Sequence, residues 1–136
     1  MQESWQVRRV STAVTQGIRV SVESRYRDDQ STPMAQRYVF TYTIRISNEG
    51  AAAAQLKSRH WIITDGNGLT EEVKGEGVVG NQPHLGAGES FEYTSYCVLK
   101  TPHGSMRGTY SMTREDGTTF LATIGAFSLT VPNALN

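Results

Sequence analysis

Residues 75–80 read Gly75-Glu76-Gly77-Val78-Val79-Gly80, a G-x-G-x-x-G hexapeptide. Glycines at this spacing let backbone amides come close to a phosphate. In dinucleotide-binding folds the run follows a strand and opens a helix whose N-terminal amides and dipole hold a pyrophosphate. The segment after it, Asn81-Gln82-Pro83-His84-Leu85-Gly86-Ala87-Gly88, does not continue as a helix, because it contains a proline and two more glycines. A kinase-type glycine loop would need Lys, Asp and Asn partners that the chain does not place. Two readings remain. The glycines serve positive φ and close backbone approach in a long crossover between two sheets, or their amides form a concave nest for a phosphate or a partner's carboxylate. Glu76 sits inside the motif and repels a phosphate. A basic side chain such as Arg59 or Lys74 would have to offset it, with His84 as a neighbour. The candidate binding residues are therefore Gly75, Glu76, Gly77, Val78, Val79, Gly80, Arg59 and His84.

Other chemistry is sparse. His60, His84 and His103 fall in three separate segments without ligand spacing. His84 with Glu76, Glu72 or Asp65 would suit Co²⁺ or Zn²⁺, but a dedicated site is not the expectation. Glu71-Glu72 reads as a solvated strand end, since adjacent strand residues point to opposite faces. The single cysteine, Cys97, excludes an internal disulfide and any multi-cysteine zinc site. It falls on an apolar face with no base nearby in sequence, so it is expected to be inert. Neither Ser90 nor Ser95 has a nucleophile elbow. No catalytic residue, metal or cofactor is expected. Thirteen basic and thirteen acidic residues cancel, which argues against a protein held to nucleic acid by counterion release. No apolar run reaches bilayer length and no signal peptide is evident, so a cytoplasmic, membrane-free location is expected.

The elements that position these residues are strands. In 38–47, Tyr38, Phe40, Tyr42, Ile44 and Ile46 share one face and Val39, Thr41, Thr43, Arg45 and Ser47 the other. Ile18, Val20 and Val22 alternate in the same way, as do Phe91, Tyr93, Ser95, Cys97 and Leu99. Met106, Tyr110 and Met112 form another such face. The last strand changes phase between Ile124 and Phe127, which predicts a β-bulge at Gly125-Ala126. Asp65-Gly66-Asn67-Gly68, Pro102-His103-Gly104 and Asp116-Gly117 carry hairpin signals. Trp61 is a plausible core residue, although the polar flanks of its strand leave the buried face ambiguous. Seven strands are predicted, at 16–25, 37–48, 57–64, 69–75, 90–100, 105–114 and 118–131. They form an all-β, antiparallel β-sandwich in a single domain over residues 14–136. Residues 1–13 are expected to be a flexible arm, because Trp5, Val7 and Val10 do not complete a face.

Several long segments, in order, resemble the ApaG (CorD) family. They are Gln30–Pro33, Tyr38–Gly50, Gln55–Gly68, Val73–Pro83, Tyr93-Thr94-Ser95 and Gly104–Tyr110. The resemblance covers about residues 15–132. It departs at Tyr96-Cys97, where a small residue is more usual, and at Gly125, where proline would be expected. It implies an immunoglobulin/fibronectin-III-like sandwich, and a bacterial cytoplasmic protein linked genetically to cobalt resistance and magnesium efflux. It implies kinship with substrate- or partner-binding modules of eukaryotic F-box and polymerase-interacting proteins, and no catalytic residues come with the family. The family's suggested pyrophosphate motif maps here to Gly75, Gly77 and Gly80. The expectation is a non-catalytic module for an unidentified protein partner, using the crossover loop and exposed sheet edges, as a monomer or weak homodimer. An apolar patch near Val78, Val79 and Pro83 would mark it. The alternative is a phosphate, pyrophosphate or nucleotide ligand on the glycine loop, with or without a divalent cation.

Overall fold

The computed structural model describes residues 9–132. Among these, β-branched and aromatic residues at period two build nine strands. They are β1 (Arg9–Thr15), β2 (Ile18–Tyr26), β3 (Tyr38–Asn48), β4 (Ala54–Asp65), β5 (Thr70–Glu76), β6 (His84–Leu85), β7 (Ser90–Leu99), β8 (His103–Arg114) and β9 (Thr119–Thr130). One sheet runs β1-β2-β3-β7. The other runs β5-β4-β8-β9, with the short β6 also paired to β4. Every pairing is antiparallel, and the two sheets form the expected sandwich.

The seven predicted strands are all present, and two were missed. β1 takes residues 9–13 out of the expected arm, while residues 1–8 lie outside the described residues. β1 hides from a hydrophobic pattern because Val10 and Val14 point outward while Ser11, Ala13 and Thr15 face inward. β6 has only two residues. One turn signal misled: β7 and β8 lie in different sheets, so Pro102-His103-Gly104 serves a crossing and not a hairpin.

The core lies between the two inner faces. Ile18, Val20, Val22, Phe40, Ile44 and Ile46 of the first sheet meet Met106, Tyr110, Met112, Ala122, Ile124 and Leu129 of the second. Trp61 stands at the centre, with its ring edge-on to Tyr42 (5.4 Å), Phe127 (6.0 Å) and Tyr110 (6.4 Å). Edge-on packing suits the ring quadrupoles and adds to the burial itself. The Tyr93 and Tyr110 hydroxyls hydrogen-bond each other inside this cluster.

Two bulges set which residues reach the core. Gly125 and Ala126 together oppose Arg107 alone, so Ile124 and Phe127 both face inward, as the phase change predicts. On β4 the extra residue is Lys57: Leu56 is paired to Met112 and Ser58 to Ser111. That bulge switches the buried parity from Ala54 and Leu56 to Trp61, which resolves the ambiguous face.

Deleting Ala126 would remove the bulge and leave Gly125 alone opposite Arg107, so Ile124 and Phe127 would stand two residues apart and Phe127 and Leu129 would keep their inward faces. A cooperative unfolding transition is expected to survive the deletion, and its loss would show that the bulge itself is required. The exposed replacement Ala126→Ser is expected to stay within about 0.5 kcal/mol of wild type in urea melts.

Candidate functional site

The glycine loop is an excursion from an edge strand. β5 and β6 both pair with β4 on the same side, and residues 77–83 leave the sheet between them. The crossover to the other sheet comes only after Leu85. Its anchor is the β4 bulge: the Lys57 carbonyl accepts from Gly77 N (2.9 Å) and from Gln82 Nε2 (2.9 Å). Leu56 N donates to Pro83 O (2.9 Å), and Gln55 Nε2 to Gln82 O (3.0 Å).

Arg59 holds the other side. Its Nη1 donates to the carbonyls of Glu76 (3.0 Å) and Gly77 (2.8 Å), while the guanidinium lies over Gly75. A Cβ on Gly75 would stand 2.7 Å from Arg59 Nη2, so glycine lets the guanidinium lie this close to the backbone and a larger residue would push it aside. At Gly77, with φ +63°, a Cβ would run into the Asn81 carbonyl.

The tip is a two-residue turn. Val78 N donates to Asn81 O (2.8 Å) and Asn81 N to Val78 O (2.9 Å), with Val79 at φ +43° and Gly80 at φ +83°. Positive φ at both central positions makes a type I′ turn, whose preferred pair is Asn-Gly. Val79 is β-branched and therefore strained in this conformation. It is also 54% exposed, whereas Val78 is buried in the core.

These bonds decide what the candidate residues do together. Gly77 and Val78 donate their amides within the fold, and Arg59 turns its charge to carbonyls. The expected patch reduces to Val79, since Val78 is buried and Pro83 only partly exposed. His84 points elsewhere, its Nε2 3.5 Å from Glu115 Oε2. Glu72 pairs with His60 (2.8 Å), and no three of His, Cys, Asp and Glu gather among the described residues.

Sequence reasoning missed a second feature. Between β5 and β7 the sandwich is open, with a cleft of about 310 Å³. Trp61, Ile63, Val73 and Met106 form its apolar walls, Cys97 and Val98 line the β7 side, and Arg59 and Glu71 also border it. The signal was the run Tyr96-Cys97-Val98-Leu99, which is apolar on both faces of one strand. Tyr96 is 66% exposed and Val98 39%. Burial pushes the Cys97 thiol up to about 11, with the Glu71 charge adding to the effect, so the thiol is protonated and unreactive at neutral pH. Burial likewise raises the Tyr42, Tyr93 and Tyr110 hydroxyls.

An open-edged β-sandwich with a pinned glycine loop is the class that fold and site define. The family model described as the ApaG domain matches residues 28–114. "Protein ApaG" of Anaeromyxobacter dehalogenans strain 2CP-C is 62% identical over 127 residues, 93% of this chain and all of its own length. The protein of the same name from Xanthomonas oryzae pv. oryzae strain PXO99A is 55% identical, over 88% of this chain and 94% of its own. A crystal structure from Bordetella pertussis superposes with a TM-score of 0.83 at 52% identity, covering 90% of this chain and 97% of that one. The chain belongs to the ApaG domain family. The relatives' names state no catalytic activity.

Replacing Arg59 by Met keeps the stem and removes both carbonyl contacts. Hydrogen bonds from a charged donor contribute roughly 1.5–3 kcal/mol each. Amide exchange at Gly77 and Asn81 is therefore expected to quicken by about tenfold or more in Arg59→Met. Unchanged exchange would mean that Arg59 does not hold the loop.

Proposed function

We propose that this protein is a non-catalytic module that binds a partner protein through the loop tip at Val79 and the neighbouring exposed edges. Val79 is the observation that carries this reading. A β-branched apolar side chain stands in solvent, in a backbone conformation that disfavours it, on a loop pinned from both sides. Strain of this kind costs about 1–3 kcal/mol and persists where function selects for it. Desolvating an exposed apolar side chain against a partner supplies a reason to keep valine there. The internal bonding of the Gly77 and Val78 amides favours this reading over a phosphate or nucleotide on the same loop. In this reading the module works in the cytoplasm, and the connection to cobalt resistance and magnesium efflux suggested by the family resemblance is indirect, passing through the partner.

Val79→Asn supplies the residue a type I′ turn prefers. It is expected to stabilise the fold by about 1 kcal/mol in urea melts, while weakening partner binding. The matching experiment places a photo-crosslinking amino acid at position 79 in cells, and at Leu69 as a still more exposed control on the β4–β5 turn. A discrete protein adduct from position 79 alone is expected. Identical adducts from both positions, or none, would contradict the reading.

A further inference from the structure

The two sides of the sandwich are built differently. On one side β1 and β9 close on each other: Ser11 Oγ donates to Gly125 O (2.9 Å), and Thr123 N donates to Thr15 Oγ1 (3.1 Å). On the other side β5 and β7 stand apart around the cleft described above. Their edges also differ. β5 carries Glu71, Glu72, Lys74 and Glu76 among its seven residues, a charge density that discourages strand pairing. β7 is ten residues long and pairs with β3 without a register shift, and it contains neither Lys nor Pro. Its one charged residue, Glu92, is neutralised by Arg45 (3.7 Å). Among the described residues this edge lacks the usual protections against another strand, and its exposed Tyr96 and Val98 lie beside the cleft.

We propose that the cleft between β5 and β7 docks an extended, basic segment of a partner protein. The segment's backbone continues the sheet from β7, and one of its apolar side chains enters the cavity. Alternation along the added strand sends every second side chain inward, onto Trp61, Ile63, Val73 and Met106. The wall opposite β7 selects the charge. Glu71 lines the cavity itself, and β5 as a whole has three acids against one base. Arg59 at the same cavity makes a neutral inserted residue better than a lysine, so the basic residues of the segment flank the inserted one. This assignment rests on the partner-binding reading, but it concerns a surface separate from Val79.

The test is a titration of isotope-labelled protein with a synthetic alternating Lys-Val peptide of about eight residues, followed by amide shifts, the Trp61 indole signal and amide exchange. A Glu-Val peptide serves as the comparison. Saturable shifts along 90–99 with new protection of β7 amides and movement of the Trp61 indole are expected, stronger for Lys-Val. Glu71→Lys, a change at an exposed rim position, is expected to weaken Lys-Val by about two- to fivefold and to strengthen Glu-Val. Flat titrations at β7 with both peptides up to millimolar would overturn the proposal. So would shifts confined to the Val79 loop, a result that leaves the partner-binding reading standing. A concentration-dependent dimer that protects β7 without peptide would make a second copy the occupant and overturn it as well.

Discussion

The guanidinium of Arg59 is the contact on which the glycine loop and the open side of the sandwich depend. One nitrogen holds the carbonyls of Glu76 and Gly77, and the same group lies over Gly75 and borders the cleft. Gly77 is buried, and an unpaired carbonyl away from water costs more than a typical hydrogen bond contributes, so the Gly77 contact above all sets where the loop departs from β5. Opposite it, the Lys57 bulge offers a carbonyl that β4's regular ladder does not use, and Gly77 and Gln82 both take it. The loop is thus clamped between a cation and a bulge, and the strained Val79 turn is held at its far end.

The same bulge links the loop to the core. By adding one residue to β4 it reverses the parity of the strand, which brings Trp61 beneath Tyr42 and Phe127 and sets Arg59 on the inner face beside the open edge. Core packing and site geometry are therefore consequences of one irregularity. Where the sandwich is closed, hydroxyls of β1 bond the backbone of β9. Where it is open, Arg59, Glu71 and apolar walls meet solvent.

Much of this was legible in the residues. Period-two alternation located β2, β3, β7 and β8, and the change of phase after Ile124 located the second bulge without any structure. The Lys57 bulge was not legible, because polar residues from Lys57 to His60 give no phase to compare. β1 was hidden because its valines face solvent and its small residues face β9. The glycine loop stood out, yet its roles were misread in part. Arg59 was read as a counter-charge for an anion, but it bonds carbonyls. His84 was grouped with the loop, but it turns to Glu115. Val79 was named for its apolar side chain, but its turn conformation carries no sequence signal, since a valine at positive φ runs against every local preference.

The central claim is that the loop presents Val79 as part of a rigid, preformed surface. Backbone ¹⁵N relaxation on the free protein tests it directly. Order parameters of about 0.85 at Gly77 through Asn81, equal to those of β3 and β4, are the predicted result. Values below about 0.6 confined to this loop would show a segment that samples many conformations, and would contradict the account.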